Sequence, residues 1–299
     1  KKKSPRPSGT ESPPSVRVCK GDGTVLRELG QAEIPALSEY AGGSWELLQI
    51  PARDGYLLDA ALFKPDDFDP ARAYPVWLPT YSGPDSPSVS DRWDGSAWTR
   101  FLAQRGVLVF EVNVRTASRR GQKYIGQCYK QLGVQELADL EDALAWLTAH
   151  PWADAERVGI TGWSYGGTMT AFALTHSKAF ALGIAGAGVY DWRMYDTIYT
   201  ERFMSTPQLN PEGYERTSVI AAAEDLSGHL ILLHGTMDDN VHFQNTIQLV
   251  HALQEADKDF ELMLYPESRH GVGAPSQRWH MRRLQWRAIR EHLLGQDAG

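Results

Sequence analysis

Apolar positions along this chain follow two rhythms. Predominantly apolar runs of strand length occur at residues 107–112, 158–161, 180–187, 229–234 and 260–265. Such runs, bounded by polar or glycine-containing segments, predict strands buried on both faces. Elsewhere the spacing lengthens to that of a helix. Leu137, Leu140, Leu144 and Leu147 share one face of a helix predicted over residues 132–150, and Pro151 stops it. Helices are predicted likewise over 98–104, 168–174, 244–256 and 276–294. Strands alternating with helices make a mostly parallel sheet covered on both faces, an α/β architecture.

The N-terminal part has a different rhythm. Residues 45–50 and 56–63 flank Arg53-Asp54-Gly55 and predict a hairpin. Residues 16–19 and 24–29 predict another, with Asp22-Gly23 in the turn. An isolated hairpin is marginal in water, so this one packs on the main domain or belongs to a larger sheet. Residues 74–81 read as a strand weakened by Pro75 and Pro79. The expected organisation is a disordered tail or linker over 1–15, a hairpin and linker over 16–43, and one α/β domain over 44–299.

Composition narrows the function classes. A net charge of −7 argues against a nucleic-acid-binding surface. The two cysteines, Cys19 and Cys128, make neither a disulfide framework nor a zinc pattern. No apolar run has the length of a membrane span, and Lys1-Lys2-Lys3 has no apolar stretch behind it, so it does not read as a signal peptide. The compartment stays open. No histidine spacing suggests metal ligands, and Gly183-Ile-Ala-Gly-Ala-Gly188 has its glycines misplaced for a dinucleotide fingerprint. Neither a metal nor a cofactor is expected.

The chemistry begins at Gly162-Trp163-Ser164-Tyr165-Gly166, between a predicted strand and a predicted helix. This is the Gly-x-Ser-x-Gly nucleophile elbow in the context that it requires, and it points to an α/β-hydrolase fold with an N-terminal hairpin extension. A serine hydroxyl needs a base, and the base needs an orienting carboxylate. In this fold they follow in the order Ser, Asp or Glu, His, each after a strand. Gly235-Thr-Met-Asp238-Asp239 follows the run 229–234, and Pro266-Glu-Ser-Arg-His270 follows 260–265. Ser164 is therefore the candidate nucleophile and His270 the base, with Asp238 or Asp239 as orienter. His234 reads as the start of a turn, and the remaining histidines show no partner pattern. The backbone N–H of Tyr165 supplies one oxyanion donor. Tyr81-Ser82-Gly83-Pro84 stands where the second belongs, and the hydroxyl of Tyr81 can serve. Trp192, Tyr195 and Tyr199 fall at helical spacing and predict an aromatic face suited to a flat apolar ring.

Three segments, Gly162-Trp-Ser-Tyr-Gly-Gly167, Tyr195-Asp-Thr-Ile-Tyr-Thr-Glu-Arg202 and His234-Gly-Thr-Met-Asp-Asp-Asn-Val-His-Phe-Gln244, resemble the catalytic domain of the prolyl oligopeptidase family, in its dipeptidyl peptidase IV branch. The resemblance runs from about Ser44 to the C-terminus. It implies a serine peptidase acting on peptides with proline at the second position, with a triad of Ser164, Asp238 and His270. It favours Asp238 over Asp239 and assigns Tyr81 to the oxyanion hole. It further implies a proline pocket lined by Val189, Trp192, Tyr195, Tyr199 and Val241, with Asn240 bonding a substrate carbonyl. Family members carry an N-terminal β-propeller whose paired glutamates hold the substrate amine. No such region is found in this sequence, and the hairpin at 16–29 looks like a propeller remnant. The resemblance also implies a homodimer involving the closing helix. A broad carboxylesterase using the same triad, or an inactive fragment acting in assembly, are the competing readings.

Overall fold

A computed structural model describes residues 9–10, 12–34 and 42–296. Most of the expected tail, at 1–8 and 11, and part of the expected linker, at 35–41, lie outside these residues. Where the tail is described, the Thr10 N–H donates to Asp91 Oδ1 at 3.1 Å.

Two N-terminal strands, β1 (Ser15–Cys19) and β2 (Val25–Gln31), pair antiparallel as a sheet of their own. The main sheet has eight strands. In chain order these are β3 (Gly43–Pro51), β4 (Leu57–Pro65), β5 (Tyr74–Pro79), β6 (Leu108–Asn113), β7 (Ala153–Trp163), β8 (Leu182–Gly186), β9 (His229–Gly235) and β10 (Phe260–Tyr265). They lie side by side as β10-β9-β8-β7-β5-β6-β4-β3. The pairs from β10 through β6 are parallel, and the β6–β4 and β4–β3 pairs are antiparallel. The strand that sequence reading weakened, β5, is central. It tolerates Pro75 because its register with β7 shifts between Tyr74 and Val76, where the missing N–H is not needed.

Alternation along each strand divides the core between the two faces. Val76, Leu78, Leu108, Phe110, Leu230 and Leu232 face one cluster. Their neighbours Trp77, Val109, Ile231 and Leu233 face the other. The first cluster is closed by α3 (Val134–Thr148), α4 (Tyr165–His176) and α7 (Gln244–Glu255), following α1 (Ala97–Gln104) and the short α2 (Gln122–Ile125) in the chain. The expected leucine stripe of α3 is buried throughout. The second cluster is closed by α1 and by α8 (Pro275–His292). Ser96 caps α1 by accepting the Thr99 N–H.

Between β8 and β9 the chain makes a long excursion that holds a 3₁₀ turn (Trp192–Met194), α5 (Thr197–Met204) and α6 (Pro211–Arg216). Sequence reading saw helical spacing at Trp192, Tyr195 and Tyr199 but did not resolve these separate elements. At the C-terminal end of β6, buried Arg115 binds Asp139 of α3 and, across the β3–β4 turn, Asp54. Asp54 is held down to about 2, chiefly by its hydrogen bond from Arg115. Among the described residues no helix is long and apolar enough to cross a membrane.

Candidate active site

The elbow is shaped by close backbone contacts. β7 ends at Trp163, and α4 begins at Tyr165. Ser164 between them has φ 60° and ψ −121°, a conformation costing about 1–3 kcal/mol for a residue with a Cβ. Gly162 and Gly166 both lie against the carbonyl oxygen of Thr80, where a Cβ would stand 2.4 Å and 2.3 Å from it. The Thr80 N–H bonds Thr161 O at 2.7 Å, and the Ser164 N–H bonds Gly186 O at 2.9 Å. The ends of β5 and β8 thus grip the turn from both sides. The first N–H groups of α4, starting at Tyr165, have no intrahelical acceptor and form the positive end of the helix.

The other chemical groups gather at the same C-terminal edge of the sheet, where parallel strands present their ligands. His270 Nδ1 lies 2.9 Å from Asp238 Oδ2. Asp238 is buried and accepts the N–H groups of Asn240 and Val241 on its other oxygen, each at 3.0 Å. Asp239 points elsewhere and pairs with Arg269 at the surface. The two loops are stitched by bonds from the Thr236 N–H to Tyr265 O and from the Met237 N–H to Ser268 O. Ser164 Oγ makes no hydrogen bond to His270 here. The link between them runs through Trp163, whose indole N–H donates to the His270 carbonyl.

Two residues near these groups escaped sequence reading. His234 does not merely start a turn: it is fully buried at the end of β9, with Nε2 3.2 Å from Asp238 Oδ2 and 2.9 Å from Val241 O. A nitrogen facing a carbonyl and a carboxylate must carry the proton, so Nδ1 accepts from the Thr246 hydroxyl at 2.7 Å. Burial pushes the His234 pKa down and keeps the ring neutral. Glu136 is the other. It is fully buried in α3, where it accepts the Gly133 N–H, the Thr116 hydroxyl and, at 3.3 Å, the Tyr165 hydroxyl. Neither carried a sequence signal beyond its residue type.

Burial pushes the Glu136 carboxyl from 4.5 up to about 7. The sign follows directly. The folded protein holds this proton more tightly than the unfolded chain, so between about pH 4.5 and 7 stability falls as pH rises. The contribution is at most about 3 kcal/mol. Glu111, also pushed up to about 7 by burial, acts with the same sign. Urea unfolding midpoints measured from pH 5 to 8 should therefore decline, and Glu136→Gln should flatten the decline without abolishing it. An equal slope in wild type and variant would exclude this role.

The aromatic residues gather, though not as one helix face. Trp192 lies in the 3₁₀ turn, Tyr195 follows it, and Tyr199 lies in α5, capped by Asp196. The helical spacing is thus a coincidence of two short elements. The rings still meet: Trp192 stacks with Tyr199 at 6.1 Å, and Tyr195 meets Tyr199 edge-on at 5.6 Å. Trp192 also approaches the Tyr165 ring at 5.7 Å. Val189 and Val241 are buried beside the loops that carry these groups. Tyr195 donates its hydroxyl proton to Asn240 Oδ1 at 2.9 Å, which leaves the Asn240 amide NH₂ as a donor. Tyr81 follows β5, with its ring 6.1 Å from that of Tyr165. Its hydroxyl bonds none of the described residues, and burial raises its pKa, so it remains a donor.

A model of the prolyl oligopeptidase family matches residues 93–295 of this sequence. The chain belongs to that family. The α/β-hydrolase fold expected from the elbow is the fold of this family member. Among curated relatives it is similar to dipeptidyl peptidase 8 of Homo sapiens, 36% identical over 280 residues, which covers 91% of this chain and 30% of the relative. It is similar also to dipeptidyl peptidase 4 of Trichophyton equinum, 34% identical over 275 residues, covering 89% of this chain and 34% of the relative. The chain thus spans about a third of the length of these relatives. Among solved structures, that of dipeptidyl peptidase 4 of Porphyromonas gingivalis has a TM-score of 0.89 at 37% identity, covering 96% of this chain and 41% of that one.

Proposed function

We propose that this family member is the catalytic part of a serine peptidase that hydrolyses peptide bonds after proline, releasing N-terminal Xaa-Pro dipeptides. The observation that carries the reading is the buried Asp238 carboxylate on His270 Nδ1, at the same sheet edge as a serine on a glycine-walled elbow. Ser164 Oγ attacks the scissile carbonyl while His270 Nε2 takes its proton. The Nδ1–H held by Asp238 fixes the tautomer this requires. The tetrahedral oxyanion is met by the Tyr165 N–H and the Tyr81 hydroxyl. His270 then protonates the leaving amine, and water releases the acyl group by the same steps in reverse.

The proline assignment draws on the wall of Trp192, Tyr195 and Tyr199, with Val189 and Val241. A pyrrolidine ring is flat and apolar and has no N–H to satisfy, so stacked rings suit it. The Asn240 amide supplies the donor for a substrate carbonyl. The relatives named dipeptidyl peptidase support trimming of dipeptides. The exposed apolar side chains of β1 and β2, among them Val16, Leu26 and Leu29, fit a larger propeller sheet, and the closing helix α8 fits a dimer face.

Chromogenic Xaa-Pro anilides test the reading, alongside short-chain esters and labelling by a fluorophosphonate. Labelling with turnover of the proline anilide supports it. Labelling with ester hydrolysis alone replaces it by a broad esterase, and absence of labelling removes catalysis altogether. Tyr81→Phe should lower kcat by about 10²- to 10³-fold with little change in KM, since the donor acts on the oxyanion. An unchanged kcat would take Tyr81 out of the mechanism.

A further inference from the structure

The opposite end of β9 holds a second cluster of chemically active side chains, unrelated to the proposed reaction. His229 opens β9, Glu261 is the second residue of β10, and His292 ends α8. They come from three distant stretches, so no local spacing in the sequence announces them. Glu261 pairs in register with Ile231, which shares a face with His229, and Ile231 packs in the cluster beneath α8. All three side chains therefore meet on the α8 side of the sheet. Their ligand atoms all lie within 4.8 Å of one another. His229 Nε2 is 2.9 Å from Glu261 Oε1, and the rings of His229 and His292 stack with centroids 3.9 Å apart.

We propose that His229, Glu261 and His292 form a binding site for one divalent transition-metal ion of the zinc class. Two imidazoles and one carboxylate, completed by a water, are the donor set of a four-coordinate zinc site, with bonds of about 2.0–2.2 Å. Borderline nitrogen donors favour zinc, nickel or copper over magnesium or calcium. The metal takes the place of the proton now shared by His229 Nε2 and Glu261 Oε1, and that proton is released to solvent. Stacked rings aim their lone pairs in parallel, so His292 must turn about its Cβ–Cγ bond to face the ion. It is half-buried at the helix end, and His229 and Glu261 are 25% and 36% exposed, so an ion reaches the cluster from solvent. Arg287, 2.5 Å from Glu261 Oε2, opposes the ion's charge but leaves Oε1 available.

β9 has seven residues, which separates this cluster from the Asp238 loop by ~20 Å. The ion is accordingly a structural clip. It joins the end of the closing helix to β10, an edge strand of the main sheet.

The test uses the chelator-stripped protein. Titration with zinc chloride should show one equivalent bound, and cobalt(II) at the same site should give the intense visible bands of a four-coordinate ion. At ~100-fold excess of zinc over its Kd the melting temperature should rise by about 5 °C. His292→Phe keeps a packed ring without a ligand, and Glu261→Gln keeps the size without the charge. Each should weaken zinc binding by about 10-fold or more and remove the cobalt bands. Zinc binding and melting shifts unaltered in both variants would overturn the proposal, as would a wild-type protein with no such shift. If His292→Phe fails to fold, Glu261→Gln alone decides.

Discussion

Replacing Ser164 by alanine should lower kcat by about 10⁶-fold, with the protein still folded. The size follows from what is lost. In the proposed mechanism no acyl-enzyme forms without Oγ, and His270, Asp238 and the donors assigned to Tyr165 and Tyr81 have no nucleophile to serve. Residual turnover would come from the donors and substrate binding alone. Alanine accepts the same backbone strain as serine, and no protein hydrogen bond from Oγ is broken, so the melting temperature should hardly change. Substrate affinity should survive, since the binding contacts proposed for the aromatic wall and Asn240 are untouched. The check is a pre-steady-state assay with an Xaa-Pro anilide, combined with fluorophosphonate labelling. A variant that retains more than a thousandth of the wild-type rate would assign the nucleophile elsewhere.

Asp238→Asn should cost about 10⁴-fold in kcat. The carboxylate accepts on every side: from the Asn240 and Val241 N–H groups on Oδ1, and from His270 Nδ1 and His234 Nε2 on Oδ2. An amide has only one acceptor atom. Placing its oxygen on the backbone N–H groups turns its NH₂ toward the imidazoles. His270 must then accept at Nδ1, which moves its proton to Nε2 and destroys the base. His234 cannot follow by switching tautomer, because Val241 O still needs the Nε2 proton. The amide therefore confronts a fixed donor, and a buried clash of this kind costs about 1–3 kcal/mol of stability as well. Both losses are measurable, one by steady-state kinetics and the other by urea unfolding. Near-wild-type kcat would remove Asp238 from the triad.

The sequence makes the sheet legible because strands packed under helices are mostly apolar, and β6, β9 and β10 each carry a predominantly apolar run interrupted by few polar residues. The α3 stripe is legible for the same reason. Short elements are not: α5 and α6 are too brief for a period to emerge, and α5 is set by its Asp196 cap and by its contacts. That is why one aromatic cluster can be mistaken for one helix face. The candidate residues Ser164, Asp238 and His270 stand out in the sequence because chain order and strand position constrain them jointly. His234 and Glu136 are not, since their roles arise from burial and from partners far away in the chain. The Trp163–His270 link and the His229, Glu261, His292 cluster depend wholly on tertiary contact.

The elbow and the excursion between β8 and β9 differ in how much change they can accept. The elbow is locked. Side chains at Gly162, Gly166 or Gly167 would collide with the carbonyl oxygens of Thr80 or Gly186, so the turn has no room for a larger residue there. The aromatic wall hangs on a separate length of chain that ends where β9 begins, with Ile198 and Leu209 already turned to solvent. That stretch lies outside the strands, although Trp192, Met204 and Tyr214 within it are buried against the core. In the proposed enzyme, reactivity is thus tied to crowded backbone, while on the excursion only exposed positions such as Ile198 and Leu209 are open to replacement without a packing cost.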